Sequence, residues 1–309
     1  MRVATFNVNG IRASRRRGFT EWLAARECDV IALQEVRCPA DALPGDAFGA
    51  LHLTYDPGSR AGRNGVGVLT RVPPAGVRTW GAPVLSRAAD GATRWREAAP
   101  DVLARGLRRF ADEGRYVEVD LADRPITVAS LYLPKGGLPA HLQKPGRMRE
   151  APDGGARYAR KMAFLDAFAR HLDHSRRRAR RAGRDFLLLG DLNIAPEPAD
   201  VTRWRASRQM EGFLPEEREW FAAVTGPRRL VDVVRRLRPD EIGPMSWWSW
   251  LGQTFENDVG WRIDHHLATP ALARAAVSAS VDRAATRPER MSDHAPVVVE
   301  YAVDHTDHL

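Results

Sequence analysis

Cysteine is nearly missing: the 309 residues contain only Cys28 and Cys38. Two thiols make neither a disulfide framework nor a zinc cluster, and they suit a reducing, cytosolic compartment. Long apolar runs are missing too, so no stretch reads as a bilayer span. The N-terminal MRVATFNVNG lacks the basic head, long apolar region and small-residue cleavage site of a secretory signal. There is no Walker loop, no G-x-S-x-G elbow and no dinucleotide fingerprint. No repeat and no obvious linker divides the chain, which reads as one domain over residues 1–303 with a short tail at 304–309. What is present is a globular composition, 44% hydrophobic and 28% charged.

Charge has one dominant sign. A formal net charge of +8 and a pI of about 10.1 point to a polyanionic partner. Charge alone leaves nucleic acid, an anionic membrane and arginine-favouring codon usage open. The densest basic run, HSRRRARRAGR at 174–184, reads as the solvated last turns of a helix, where positive charge complements the helix dipole. Arg15, Arg16 and Arg17 carry more functional weight, because they follow the polar end of the first strand.

Strand-like segments recur at RVATFNV, DVIALQE, GVGVLTR, RYVEVDL, PITVASLYL, DFLLLGDLN, WRIDHHLAT and APVVVEYAV. Helix-like stretches fall at roughly 16–27, 157–181, 199–210, 214–223 and 228–237. RYVEVDL and PITVASLYL are joined by a short turn and read as an antiparallel hairpin, which argues against a purely parallel doubly wound sheet or a TIM barrel. The order predicts an α/β fold of two mixed sheets packed face to face with helices outside. Residues 80–114 and 135–156 are expected to be loop-like.

Polar residues gather at the strand ends. LLLGDLNIAP sets Asp191 and Asn193 two apart; an extended chain would point both to one face, with Gly190 allowing close approach. TFNVNG supplies Asn7 and Asn9, ALQE supplies Glu35, WRID supplies Asp264, and SDHAPV supplies Asp293 and His294. Each alone is ordinary loop solvation. Together they suit metal-assisted phosphodiester hydrolysis, which needs an activated water and neutralised phosphate charge. Glu35 and Asp293 are apt oxygen ligands for a hard divalent ion. Asp191 suits a water-orienting base, and His294 paired with a carboxylate suits a cation facing phosphate.

The motifs FNVNGIR, LQEVR, GVGVLTR, LYLPKG, GDLNIAP, GWRID and SDHAPV stand in one order from residue 2 to about 302. In this the chain resembles the exonuclease III type of AP endonuclease, within the endonuclease/exonuclease/phosphatase superfamily. The resemblance implies a deoxyribonuclease-I-like four-layer α/β sandwich. It implies Mg²⁺-dependent cleavage (Mn²⁺ as substitute) 5′ to abasic sites in double-stranded DNA, with 3′–5′ exonuclease and 3′-phosphatase or 3′-phosphodiesterase activity on damaged 3′ ends. By motif position, Glu35 holds the metal with Asn7 close by and Asp293 as a further ligand. Asp191 activates water, Asn193 and Tyr132 bind the phosphate, and His294 contacts it while oriented by Asp264. Arg12, Arg37, Arg63, Arg115 and Lys135 fall where DNA contacts are expected, fixing register without reading sequence.

Within MSWWSWLGQTFENDVGWRIDHHL, the resemblance places Trp247, Trp261 and Ile263 around a flipped-out abasic sugar. Trp261 and Ile263 share a face if that segment is a strand, with Asp264 on the other. His265 and His266 would then point to opposite faces and read as structural, and the tail histidines as a frayed end. A monomer acting in the cytoplasm on nucleoid DNA, away from membranes, is the expected setting. The competing functions are a superfamily phosphoesterase for inositol phosphates or sphingomyelin, sharing this rim, and a DNA-binding relative that has lost catalysis.

Overall fold

The computed structural model describes residues 1–60, 62–81, 83–100, 103–146 and 151–303. The tail with His305 and His308 lies outside them. The chain opens with β1 (Arg2–Asn7), α1 (Ile11–Arg16), α2 (Phe19–Arg26), β2 (Val30–Gln34), β3 (His52–Asp56) and β4 (Val66–Thr70). There follow β5 (Gly76–Thr79), β6 (Val84–Arg87), β7 (Thr93–Arg96), β8 (Ala99–Pro100), β9 (Tyr116–Asp120) and β10 (Ile126–Tyr132). The second half comprises α3 (Ala156–Arg181), β11 (Asp185–Asp191), α4 (Trp204–Ser207), α5 (Pro215–Val224), β12 (Val231–Asp232) and α6 (Val233–Leu237). It closes with β13 (Asp264–Ala268), α7 (Pro270–Ala275), β14 (Ala276–Val281) and β15 (Val297–Tyr301).

One sheet has eight strands in the order β14-β15-β1-β2-β4-β3-β6-β7; the other has seven, β12-β13-β11-β10-β9-β5-β8. Period-two alternation explains why the strands read as continuous apolar runs, since both faces of each sheet are covered. Val3, Val30, Ala32, Val128, Leu187 and Leu189 fill the space between the sheets. Phe6, Ile31 and Leu33 face outward onto Phe19 and Leu23 of α2. Leu131, Phe186 and Leu188 face outward onto Phe164, Phe168 and Leu172 of α3. The architecture is therefore a four-layer α/β sandwich, helices–sheet–sheet–helices, and β9 and β10 form the expected antiparallel hairpin.

Several elements depart from expectation. The first helix starts earlier, at Ile11, and is broken by Gly18 at φ +99°. Residues 199–210 form only a 3₁₀ turn, Pro198–Asp200, and the four-residue α4. At 228–237 the β-branched Val231 pairs with Ala268 first, and Asp232 then caps α6 by accepting from Arg235 N at 3.1 Å. The region 80–114 is not loop: β6 and β7 form an antiparallel hairpin added to β3, β8 pairs with β5, and Arg105–Phe110 is 3₁₀. The basic run ends α3 as expected, but it is partly tied down: Arg177 pairs with Asp173 at 2.8 Å and Arg178 with buried Glu118.

Topology makes one rim polar. β1 and β2 run parallel, as do β10 and β11, so Asn7, Gln34, Tyr132 and Asp191 all end strands on the same side. β13 runs antiparallel to β11 and starts there, with Asp264 opposite Asp191. Beneath this rim Arg262, 1% exposed, bridges Asp200 (Nε to Oδ1, 2.6 Å) and Asp232 (2.8 Å). Arg262→Ala leaves two buried carboxylates short of their cation and should cost about 3–5 kcal/mol. The check is the urea midpoint at unchanged slope; a loss below about 1 kcal/mol would contradict it.

Candidate active site

Four residues at the rim take positive φ: Asn9 (46°), Glu35 (48°), Arg37 (49°) and Asn193 (48°). A side-chain-bearing residue holds that conformation only where its surroundings impose it. At Asn193 it overturns the expected mechanism of placement, because β11 ends at Asp191 and the chain is no longer extended. The two side chains still meet. Asn193 donates its backbone N–H to Asp191 Oδ1 at 2.8 Å and its Nδ2 to Asp191 Oδ2 at 3.3 Å. Gly190 does allow close approach: a Cβ there would sit 2.0 Å from the Leu131 carbonyl oxygen.

Asp191 is the hub. Asn7 Nδ2 donates to Asp191 Oδ2 and to Glu35 Oε1, both at 2.9 Å, joining the two sheets across the rim. His294 Nε2 lies 3.7 Å from Asp191 Oδ2, and its Nδ1 bonds Asp264 Oδ2 at 2.8 Å. Ser246 Oγ donates to that same Asp264 oxygen at 2.6 Å. Burial, offset in part by His294, pushes the Asp191 carboxyl up to about 7. His294 moves the other way from what burial would do: Asp264 and Asp191 outweigh desolvation and raise it to about 10, so the ring is an imidazolium. Tyr132 is held well above its ordinary value by burial, Glu35 and Asp191, so its hydroxyl keeps its proton. The arrangement offers a carboxylate tuned near neutrality, a fixed cation and neutral donors, the inventory for attack by water on phosphate.

The metal candidates differ in how they are held. Asn7 turns its nitrogen towards Glu35 and Asp191, holding both carboxylates, while its oxygen accepts from Asn9 N at 3.0 Å. Asp293 has both oxygens engaged, by Asn9 Nδ2 (2.7 Å), Ser292 Oγ (3.3 Å) and Trp247 Nε1 (3.2 Å). Among the described residues, the group of three with ligand atoms mutually within 4.8 Å is Asp191, Asp264 and His294, without Asp293 or Glu35. In that trio the imidazolium bonds Asp264 and is ion-paired with Asp191 at 3.7 Å, and a protonated ring is no metal ligand. Glu35 does fit a hard cation: it is a carboxylate only 7% exposed, and its Oε2 already faces a cation, the Arg37 guanidinium. That guanidinium also donates to Asn9 Oδ1 at 2.6 Å.

Arg37 is exposed at the rim while paired with Glu35. Arg115 is more enclosed: it is 9% exposed, donates to Glu113 Oε2 (2.6 Å) and to the Tyr132 carbonyl (3.1 Å), and stacks over the Tyr132 ring. Arg12, in the first turn of α1, and Arg63 and Lys135, on loops, are exposed, Lys135 lying 3.8 Å from Glu211. Trp247, Trp261 and Ile263 do come together with Phe213, Val201 and Trp204 in one apolar cluster. They are not on the expected strand: Trp261 pairs with Trp247 in an isolated bridge, and Trp247 bridges on to His294. His265 and His266 are buried on other partners, the Ile194 and Val297 carbonyls, as their alternation predicts. Sequence reading missed Ser246 and Ser292, for which nothing in the local pattern is a signal. It noted Asn9 without a role, although its period-two spacing from Asn7 was the available sign.

Comparison with known proteins agrees with this geometry. The sequence profile of the endonuclease/exonuclease/phosphatase family matches residues 4–294. The chain is 26% identical over 310 residues to the zebrafish (Danio rerio) DNA repair nuclease APEX1, covering 98% of this chain and 83% of that protein. It is 26% identical over 312 residues to exodeoxyribonuclease III of Haemophilus influenzae, covering 97% of this chain and all of the other. The solved structure of an AP endonuclease from Archaeoglobus fulgidus superposes with a TM-score of 0.74 at 24% identity, covering 98% and 100% of the two chains. With the profile spanning both sheets and the whole polar rim, the chain belongs to the endonuclease/exonuclease/phosphatase family.

Proposed function

We infer that the protein is a DNA-repair nuclease that hydrolyses the phosphodiester on the 5′ side of an abasic site in duplex DNA. The observation that carries this reading is the Asp264–His294–Asp191–Asn7–Glu35 chain of contacts standing beside the Trp247–Trp261–Ile263 wall. The family is metal-dependent. Mg²⁺ on Glu35, with Mn²⁺ as substitute, would supply Lewis-acid neutralisation of the phosphate and leaving oxygen. Asp191 takes the proton of the attacking water. His294, held by Asp264, donates to a phosphoryl oxygen, as do the Tyr132 hydroxyl and Asn193 Nδ2, the latter exchanging its long 3.3 Å bond to Asp191 for the phosphate. The products are a 3′-hydroxyl and a 5′-phosphate on the abasic residue. The same rim serves 3′ ends, which gives 3′–5′ exonuclease and 3′-phosphatase or 3′-phosphodiesterase activity; the Haemophilus relative bears the corresponding name.

A base-free sugar is small and apolar on one face, and extruding it breaks no base pair. Trp261→Ala should therefore lower abasic-site cleavage at least about tenfold more than hydrolysis of a simple phosphodiester. Equal losses on both substrates at an unaltered melting temperature would refute the pocket. Arg12, Arg63 and Lys135 hold backbone phosphates on either side. In this reading residues 1–303 act as one catalytic unit and as a monomer. The place of work is the cytoplasm, on nucleoid DNA.

For the metal, Glu35→Gln should raise the Mg²⁺ concentration for half-maximal activity at least about tenfold, because a hard cation loses its anionic ligand. An unchanged metal titration with reduced turnover alone would give Glu35 a different role.

A further inference from the structure

Lys161 stands one turn into α3 with its side chain 1% exposed, too enclosed to meet a phosphate itself. Its ammonium donates to the Lys135 carbonyl at 3.1 Å and the Asn193 carbonyl at 2.8 Å, and meets Glu217 Oε1 of α5 at 2.6 Å. Two N–H donors of the ammonium thus have carbonyl acceptors, and its charge is met by Glu217. The two carbonyls belong to the two turns that carry the rim: the one leaving β10 after Tyr132 and the one leaving β11 after Asp191. Those turns are stitched to each other, Leu133 N donating to the Asp191 carbonyl at 2.9 Å and Asn193 Nδ2 to the Leu133 carbonyl at 3.0 Å. The site for Lys161 is also shaped for it. Gly136 has φ +85°, and a Cβ there would lie 2.5 Å from Lys161 Cδ. Glu217 is fixed in turn, accepting from Leu214 N at 3.0 Å as part of the α5 capping box.

A fully buried ion pair is poor value as a source of stability, because desolvation offsets most of the attraction. Burial works against both partners here, lowering Lys161 and raising Glu217. What the pair does supply is direction: a cation aimed at two carbonyls fixes the left-handed turn at Asn193 against the turn that follows Tyr132. We propose that Lys161, with Glu217 as its counter-charge, is a positioning residue that clamps the Tyr132–Lys135 and Asp191–Asn193 turns into the geometry that receives phosphate. This rests on the nuclease reading above.

The test compares Lys161→Met with the double variant Lys161→Met/Glu217→Gln, on an abasic duplex in Mg²⁺, each below its own melting transition by circular dichroism. The single change strands a buried carboxylate and should depress Tm. The double change strands no charge and keeps the Leu214 cap, so its Tm should return to within about 5 °C of wild type. Turnover should not return with it: kcat stays about 10- to 100-fold low with KM within about threefold, the scale of sub-ångström misplacement of reacting groups. A folded double variant with kcat within about twofold of wild type would overturn the proposal and leave Lys161 purely structural. A second measurement does not depend on Tm recovery. In an Asn193→Ala background, adding Lys161→Met/Glu217→Gln should cost less than about threefold more, since both act through one contact; losses that multiply in full would overturn it. Wild-type protein inactive on this substrate would instead count against the nuclease reading itself.

Discussion

Asp191→Asn should lower turnover on an abasic duplex by about two to four orders of magnitude while leaving duplex affinity within about threefold. The side chain is 1% exposed and its carboxyl is raised to about 7, mainly by burial, so near neutrality it can take a proton without being saturated. Asparagine keeps an acceptor for the Asn193 N–H but cannot accept that proton. It also sets an amide nitrogen against Asn7 Nδ2, which now donates at 2.9 Å. The loss should fall on kcat, because the base is used only in the transition state. Turnover within about tenfold of the parent, in a protein with unaltered melting, would remove Asp191 from the role of base.

The second large effect concerns His294. Its value of about 10 stands above the ordinary imidazole range because Asp264 and Asp191 overcome burial. A group raised in the folded state stabilises the fold fully below its unfolded value, near 6.5, and loses that contribution as pH rises through the folded value. Stability should therefore fall between about pH 6.5 and 10 and share with activity an alkaline limb towards 10, while activity first rises through about 7 as Asp191 loses its proton and is level between about 8 and 9. His294→Gln, which keeps a donor but no charge, should cost about 10²- to 10³-fold in kcat, the scale of losing one preorganised donor to a developing oxyanion. It should also abolish the shared limb. An unchanged alkaline limb in His294→Gln would assign the limb to another group.

Much of the fold was legible because the long strands carry their own signal. Val30–Gln34 and Asp185–Asp191 are continuous apolar runs buried on both faces, and the short turn between Tyr116–Asp120 and Ile126–Tyr132 forces antiparallel pairing. The hairpin of Val84–Arg87 and Thr93–Arg96 was not legible, since its outer strand is an exposed sheet edge without alternation. The site residues were legible as types at strand ends, but their contacts were not. That Arg37 pairs with Glu35 and that Arg115 is enclosed over Tyr132 could not be read, because sequence cannot tell which groups stand within reach. Asn193 was placed correctly by a wrong route, alternation, where a left-handed turn and the Asp191 carboxylate bring it round. Ser246 and Lys161 depend on contacts 18 and 32 residues away and leave no local trace.

The central claim is that this rim performs metal-dependent hydrolysis on the 5′ side of an abasic site. Its most direct test is a duplex oligonucleotide with one internal tetrahydrofuran residue, incubated with the protein in Mg²⁺ and, in parallel, in EDTA, with the fragment ends mapped on a denaturing gel and by polymerase extension. The account predicts one cut immediately 5′ to the tetrahydrofuran, leaving an extendable 3′-hydroxyl, in Mg²⁺ and not in EDTA. Cleavage that persists in EDTA, a cut leaving a 3′-phosphate, or equal cutting at undamaged internal positions would contradict it.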